Sequence, residues 1–119
     1  MSDKPYDIRE RTFTFAVQVL KALRSIPSDT GGYVIARQLA RSGTSVGANV
    51  EEADGAESKA DFVHKMGIAL KESRETRYWL RLVAETYPAL QEQIVPLVDE
   101  SEQIMRILGA IIKKGKANL

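Results

Sequence analysis

The chain has 119 residues, of which 44% are hydrophobic and none is cysteine. This suits a single soluble domain with a sizeable core, and it excludes disulfides and thiolate metal sites. A net charge of +1, from 17 basic and 16 acidic residues, excludes a strongly basic nucleic-acid domain. No apolar run reaches the roughly 18 residues of a membrane span, and the first residues lack the apolar stretch of a signal peptide. We therefore expect a cytoplasmic protein with no membrane partner.

The first helix is expected at about residues 7–25, where Asp7 and Glu10 have the spacing of a capping box. Its core stripe has alternating spacings of four and three and comprises Ile8, Thr12, Phe15, Val19, Ala22 and Ile26. Further apolar residues widen this face, so the helix should contact more than one neighbour: Phe13, Ala16, Val17, Leu20 and Leu23. A turn at residues 27–32, which ends in two glycines, should follow.

The second helix is expected at about residues 33–54. One of its faces consists mainly of small residues and includes Gly43 and Gly47. Each glycine costs a helix about 0.5–1 kcal/mol relative to alanine, so a helix that keeps both should gain from close approach. Both glycines are therefore predicted to pack inside the bundle. The opposite side is a solvated face, a subunit contact, or a ligand or nucleic-acid site, and it carries Arg41, Ser45, Ala48 and Glu52.

The third helix is expected at about residues 58–85, with Ser58 and Asp61 at its start. Its core stripe comprises Phe62, Met66, Ala69, Ser73, Thr76 and Leu80. A second arc holds His64, Ile68, Glu75, Trp79 and Leu82, with Glu72 at its edge.

This second arc is predicted to be an oligomer interface, because a solvated face rarely carries Ile, Trp and Leu together. The alternative is that Trp79 belongs to the core and is covered by the fourth helix. If Glu72 and Glu75 are buried, they need partners such as Arg41, Arg74 or a tyrosine hydroxyl.

A third arc of the same helix carries four cations and one tyrosine: Lys71, Arg74, Arg77, Tyr78 and Arg81. Such a face could follow a phosphate backbone while Tyr78 stacks on a base, so RNA or DNA is an alternative partner. The simpler interpretation is a solvated face with intrahelical pairs, such as Lys71 with Glu75 and Arg81 with Glu85.

The fourth helix is expected at about residues 88–114. Its stripe keeps its phase across Pro96 and comprises Leu90, Ile94, Leu97, Ser101, Ile104, Leu108 and Ile111. This continuity favours one kinked helix over two. The connections are short and no segment alternates with period two, so the whole sequence, residues 1–119, predicts one all-α domain. Its topology is expected to be an antiparallel up-down-up-down four-helix bundle.

Catalytic chemistry has little support in the sequence. His64 is the only histidine, and Asp61-x-x-His64 is a single weak relative of the paired motifs that di-iron bundles need. Gly31 and Gly32 lack the Lys-Ser/Thr of a phosphate-binding loop. We therefore expect no catalytic residues, no metal site, no cofactor and no small-molecule substrate.

Three segments also carry a family resemblance: RSGTSVGANVEEA at residues 41–53, ESKADFVHK at 57–65 and ALKESRETRYWL at 69–80. In this order and spacing they resemble the bacterial four-helix-bundle proteins encoded in intervening sequences of large-subunit ribosomal RNA genes. The resemblance implies a left-handed antiparallel bundle, a homo-oligomeric ring of five subunits and no established enzymatic activity. Together with the small-residue face of the second helix and the second arc of the third, this predicts a scaffold or binding protein. A more basic branch, the accessory protein of diversity-generating retroelements, is thought to bind nucleic acid, but this chain departs from it in its near-zero net charge.

Overall fold

Four α-helices make up most of the protein, and the structure, a computed structural model, describes residues 8–119. Helix α1 spans Ile8–Ala22, α2 spans Thr30–Asp54, α3 spans Lys59–Thr86 and α4 spans Gln91–Ala117. Short 3₁₀ turns at Leu23–Ser25 and Pro88–Leu90 precede the second and fourth helices. Residues 8–119 contain no strand, which confirms the predicted all-α class with four helices. Over the same residues, no helix combines the length and the hydropathy that crossing a bilayer requires.

Two short polar side chains fix the starts of α2 and α3. The Ser58 hydroxyl accepts a hydrogen bond from the Asp61 amide at 3.0 Å, as the capping pattern predicted. The Asp29 carboxylate accepts one from the Gly32 amide at 2.7 Å. Because Asp29 supplies this cap, α2 begins at Thr30, and both glycines of the expected turn lie in its first turn instead. The cap predicted at Asp7 lies outside the described residues.

The core lies between the four helices, since α1 and α3 each pack against both α2 and α4. All six residues of the predicted α1 stripe are buried. The predicted widening of that face is wrong at Phe13 and Leu20, which are 63% and 45% exposed. Only one side of α1 faces its two neighbours, so these two side chains point away from them.

Helices α1 and α2 approach each other closely at the two glycines of the second helix. A Cβ atom added at Gly43 would lie 2.9 Å from Cγ1 of Val19. A Cβ atom at Gly47 would lie 3.3 Å from the carbonyl oxygen of Thr12. Such distances are shorter than ordinary van der Waals contact, so larger side chains at these positions would push α1 away.

Ion pairs at the surface link α1 to both of its neighbours. Arg9 pairs with Glu51 of α2 at 3.0 Å, and Arg11 pairs with Glu100 of α4 at 2.7 Å. The α4 partner lies past Pro96, through which α4 continues unbroken, as expected for one helix rather than two.

The close approach can be tested with Gly47→Leu. We expect this change to lower the free energy of unfolding by about 1–3 kcal/mol, because the new side chain must displace the α1 backbone. Urea denaturation followed by circular dichroism measures the change. Gly67→Leu is the matched control, since a Cβ atom at Gly67 meets nothing within 4 Å. A Gly47→Leu protein with unchanged stability would contradict this packing.

Candidate functional site

Four side chains on the surface of α2 and α3 form a hydrogen-bonded cluster, which we call the Arg41 cluster: Arg41, Glu72, Glu75 and Trp79. The Arg41 guanidinium donates to Glu72 Oε1 at 3.2 Å and, through its other terminal nitrogen, to Glu75 Oε2. The same Glu75 oxygen accepts a hydrogen bond from Nε1 of the Trp79 indole at 2.9 Å. One cation from α2 thus satisfies two carboxylates of α3, as expected for this pair of glutamates.

The electrostatics of the cluster favour its charged form. The indole hydrogen bond from Trp79, followed by the guanidinium of Arg41, lowers the pKa of Glu75. The hydrogen bond to Glu75 in turn raises the pKa of Arg41. The cluster is therefore a hydrogen-bonded network in which one cation serves two carboxylates, which suits it to hold side chains in place rather than to transfer protons.

The indole of Trp79 lies at the edge of the core. Its ring is half-buried and packs against the buried cluster, while its nitrogen is held by Glu75 at the surface. Ile68 and Leu82, from the same predicted interface arc, are also half-buried. The arc is therefore neither fully core nor fully solvated, and it leaves part of its apolar surface facing outward.

The polar side of α2 is bonded mainly within its own helix. The Ser45 hydroxyl donates to the carbonyl oxygen of Arg41 at 2.7 Å, and Ala48 and Glu52 are exposed. Within residues 8–119, Arg41 is the one α2 residue of the predicted subunit contact whose side chain forms a hydrogen bond or ion pair with another helix. A role of this surface in a subunit contact stays a prediction.

The cations of the basic arc of α3 differ in their surroundings, since one forms an ion pair with α4 and three do not. Arg77 pairs with Glu102 of α4 at 2.6 Å and is half-buried. Lys71, Arg74 and Arg81 are exposed and form no ion pair with any residue from 8 to 119. The expected intrahelical pairs of Lys71 and Arg81 are therefore absent from residues 8–119. Glu75, the predicted partner of Lys71, is bonded to Arg41 and Trp79 instead.

The tyrosine of that arc contacts the interface arc. The Tyr78 ring is 53% exposed and meets the Trp79 ring edge to face, with centroids 5.1 Å apart. The two surfaces that the sequence treated as alternatives therefore adjoin each other on α3.

The structure adds an exposed apolar surface on α1, made of residues that were predicted to contact neighbouring helices. Phe13 and Leu20 lie seven residues apart, and therefore on one line of α1, with the half-buried Val17 between them. We call these three residues the α1 stripe. Its signal in the sequence was the unusually wide apolar face of the first helix, which exceeds what one core can cover.

Within residues 8–119, no group of three or more His, Asp or Glu side chains is close enough together to hold a metal ion. His64 is exposed. Asp61 accepts hydrogen bonds from the Glu57 amide at 3.3 Å and from Lys65 at 3.2 Å, and these bonds lower its pKa.

The charge of Glu75 can be tested through stability as a function of pH. Folding lowers the pKa of Glu75, so its carboxylate stabilises the folded protein at pH values above its pKa in the unfolded chain. This contribution disappears as the pH falls through the pKa of Glu75 in the folded protein. Glu75→Gln should therefore cost about 0.5–1 kcal/mol near pH 7 and much less near pH 2. Urea denaturation followed by fluorescence of Trp79, the one tryptophan of the chain, measures both. The matched control is Glu85→Gln, at an exposed site, and an equal loss at both pH values would contradict the charge pairing.

Comparison with known proteins supplies the family of the chain. The sequence profile described as 23S rRNA-intervening sequence protein matches residues 4–110. A crystal structure from Bacteroides thetaiotaomicron is 39% identical with a TM-score of 0.82, and the match covers 89% of this chain and 98% of that one. It is described as a protein with unknown function from the S23 ribosomal protein family. No match is found among the curated proteins. The chain therefore belongs to the 23S rRNA-intervening sequence protein family.

Proposed function

We propose that the protein is a non-enzymatic scaffold that works as a homo-oligomeric ring of four-helix bundles. The observation that carries this proposal is the α1 stripe, where Phe13 is 63% exposed and Leu20 45% exposed in the single chain. Burying a side chain of this kind stabilises an assembly by about 1.5–3 kcal/mol. A ring of five subunits is the number that the family resemblance implies.

The proposed subunit is a left-handed, antiparallel up-down-up-down bundle within one domain. Contacts between successive helices support the antiparallel arrangement. Gly43 faces Val19 whereas Gly47 faces Thr12, so contacting positions rise along α2 as they fall along α1. The side chain of Gln91, at the start of α4, donates to the carbonyl oxygen of Ala84 near the end of α3 at 3.0 Å.

The proposed contact joins two different faces of the subunit. Because α1 and α3 each pack against α2 and α4, they lie on opposite sides of the core. The α1 stripe of one subunit would pack on Ile68, Trp79 and Leu82 of the next. A head-to-tail contact between unlike faces leads to a closed ring when the rotation between subunits closes.

The Arg41 cluster has a supporting part in this proposal. Its hydrogen bonds hold the Trp79 ring in one orientation before assembly. An anchor that is already ordered loses less side-chain entropy when a partner packs against it.

Light scattering across a wide concentration range tests the assembly. We expect a defined oligomer for the natural sequence and a monomer for Phe13→Glu with Leu20→Glu, because two charges would be buried without partners. Val95→Glu is the matched control, since Val95 has the same 45% exposure as Leu20 but lies on α4. A natural protein that stays monomeric at all concentrations would overturn the proposal.

A second candidate function is weak binding of RNA or DNA by the basic face of α3. It is favoured by the three exposed cations without ion pairs in the described chain, Lys71, Arg74 and Arg81. A single copy of this face would bind a nucleic acid weakly, but several copies around a ring would bind one strand together.

This second function predicts binding that weakens steeply with salt and is lost in Arg74→Glu with Arg81→Glu. A fluorescently labelled RNA or DNA strand and anisotropy measure it. Lys21→Glu with Arg24→Glu makes the same charge change at exposed positions in the last turn of α1 and in the 3₁₀ turn after it, and is the control. No binding of the natural protein at about 50 mM salt would rule the function out.

A further inference from the structure

A groove of about 720 Å³ opens at the end of the bundle where α1 and α3 begin and α2 and α4 end. Its floor is apolar and consists of buried and half-buried side chains, including Ile8, Val50, Phe62, Met66, Ile107 and Ile111. This volume is typical of sites that hold a small organic ligand, which range from about 300 to 1,000 Å³. Neither the α1-stripe residues nor Ile68, Trp79 and Leu82 line it, so it is separate from both faces of the proposed ring contact.

The rim of the groove carries an excess of positive charge. Arg9 is more than neutralised there, because it pairs with two carboxylates, Glu51 at 3.0 Å and Asp54, which also lines the groove, at 3.3 Å. Arg106 and Lys114 also line the groove and form no ion pair with any residue of the described range 8–119. Two cations thus stand beside an apolar floor without a counter-charge from that part of the chain.

A smaller hollow of about 300 Å³ continues the same surface. It shares Phe62, Ile111 and Lys114 with the groove and adds Lys59, another exposed cation. The apolar floor therefore extends through both the groove and the smaller hollow, and each of them has cations at its rim.

We propose that this groove binds a single-chain fatty acid, with the acyl chain on the apolar floor and the carboxylate at the cationic rim that carries Arg106 and Lys114. A purely apolar ligand would make no use of the two exposed cations. A small inorganic anion would leave the floor in contact with water. A ligand with one apolar chain and one anionic end satisfies both parts, and the planar guanidinium of Arg106 matches the two oxygens of a carboxylate.

Isothermal titration calorimetry of the full chain with dodecanoate, kept below its micelle concentration, tests this assignment. We expect one site per chain for dodecanoate and no detectable binding of acetate, which has the head group alone. Dodecyltrimethylammonium has the same chain with a cationic head, and we expect it to bind at least about tenfold more weakly. Equal binding of the two amphiphiles, or no binding of dodecanoate, would overturn the proposal.

Two sets of variants locate the site. Ala110→Trp fills the groove from an exposed position and so leaves the core intact. It should weaken dodecanoate binding by at least about tenfold. Arg106→Gln with Lys114→Gln should weaken it about tenfold through loss of the charge-assisted hydrogen bonds. The matched control for charge is Lys71→Gln with Arg74→Gln, both exposed on α3, which should bind as the natural protein does.

Circular dichroism and light scattering on the same variants separate this proposal from the ring. Unchanged binding by a folded Ala110→Trp protein would place the acyl chain elsewhere, such as on the α1 stripe, and would overturn the assignment. A smaller oligomer for Ala110→Trp would show that a second copy occupies the groove, with the same consequence. Ring assembly without fatty acid binding would contradict this proposal alone.

Discussion

The close approach of α1 and α2 at Gly43 and Gly47 is the constraint on which the rest of the structure depends. With Val19 and Thr12 pressed against the α2 backbone, the rotation of α1 about its own axis is fixed. That rotation buries one side of α1 against α2 and α4 and turns Phe13 and Leu20 outward. The same packing that closes the core therefore leaves an apolar surface on α1 that faces away from α2 and α4.

Close helix packing also explains the polar residues at the centre of the bundle. Five small hydroxyl residues from all four helices are completely buried: Thr12, Ser42, Ser73, Thr76 and Ser101. Most donate to carbonyl oxygens of their own helix, whereas Thr76 also reaches Ser42 on α2 at 3.0 Å. Within residues 8–119, no buried side-chain nitrogen or oxygen lacks a partner. Small, satisfied hydroxyls let the helices approach without the desolvation penalty of buried charges.

Periodicity in the sequence was sufficient for the four helices and most of the core, because stripes at three and four residues record which side of a helix is buried. Periodicity did not predict that Phe13 and Leu20 would be exposed. A helix with a wide apolar face has several rotations that bury a stripe, and the choice depends on where α2 and α4 lie. The start of α2 was misplaced because Asp29 caps the helix and outweighs the turn preference of two glycines. The groove could not be predicted from the sequence, since its walls come from four helix ends that are distant in sequence.

The contact between Tyr78 and Trp79 links the two proposed roles of α3 and limits how they combine. If a neighbouring α1 stripe covers Ile68, Trp79 and Leu82, Tyr78 lies at the edge of that contact and is no longer free to stack on a base. Arg74 and Arg81 lie farther toward α4, on the side where Arg77 meets Glu102, and would stay exposed. A nucleic acid on such a ring would then be held through its phosphates alone. Contacts to phosphates carry no sequence information, so binding by the assembled ring should be independent of base sequence.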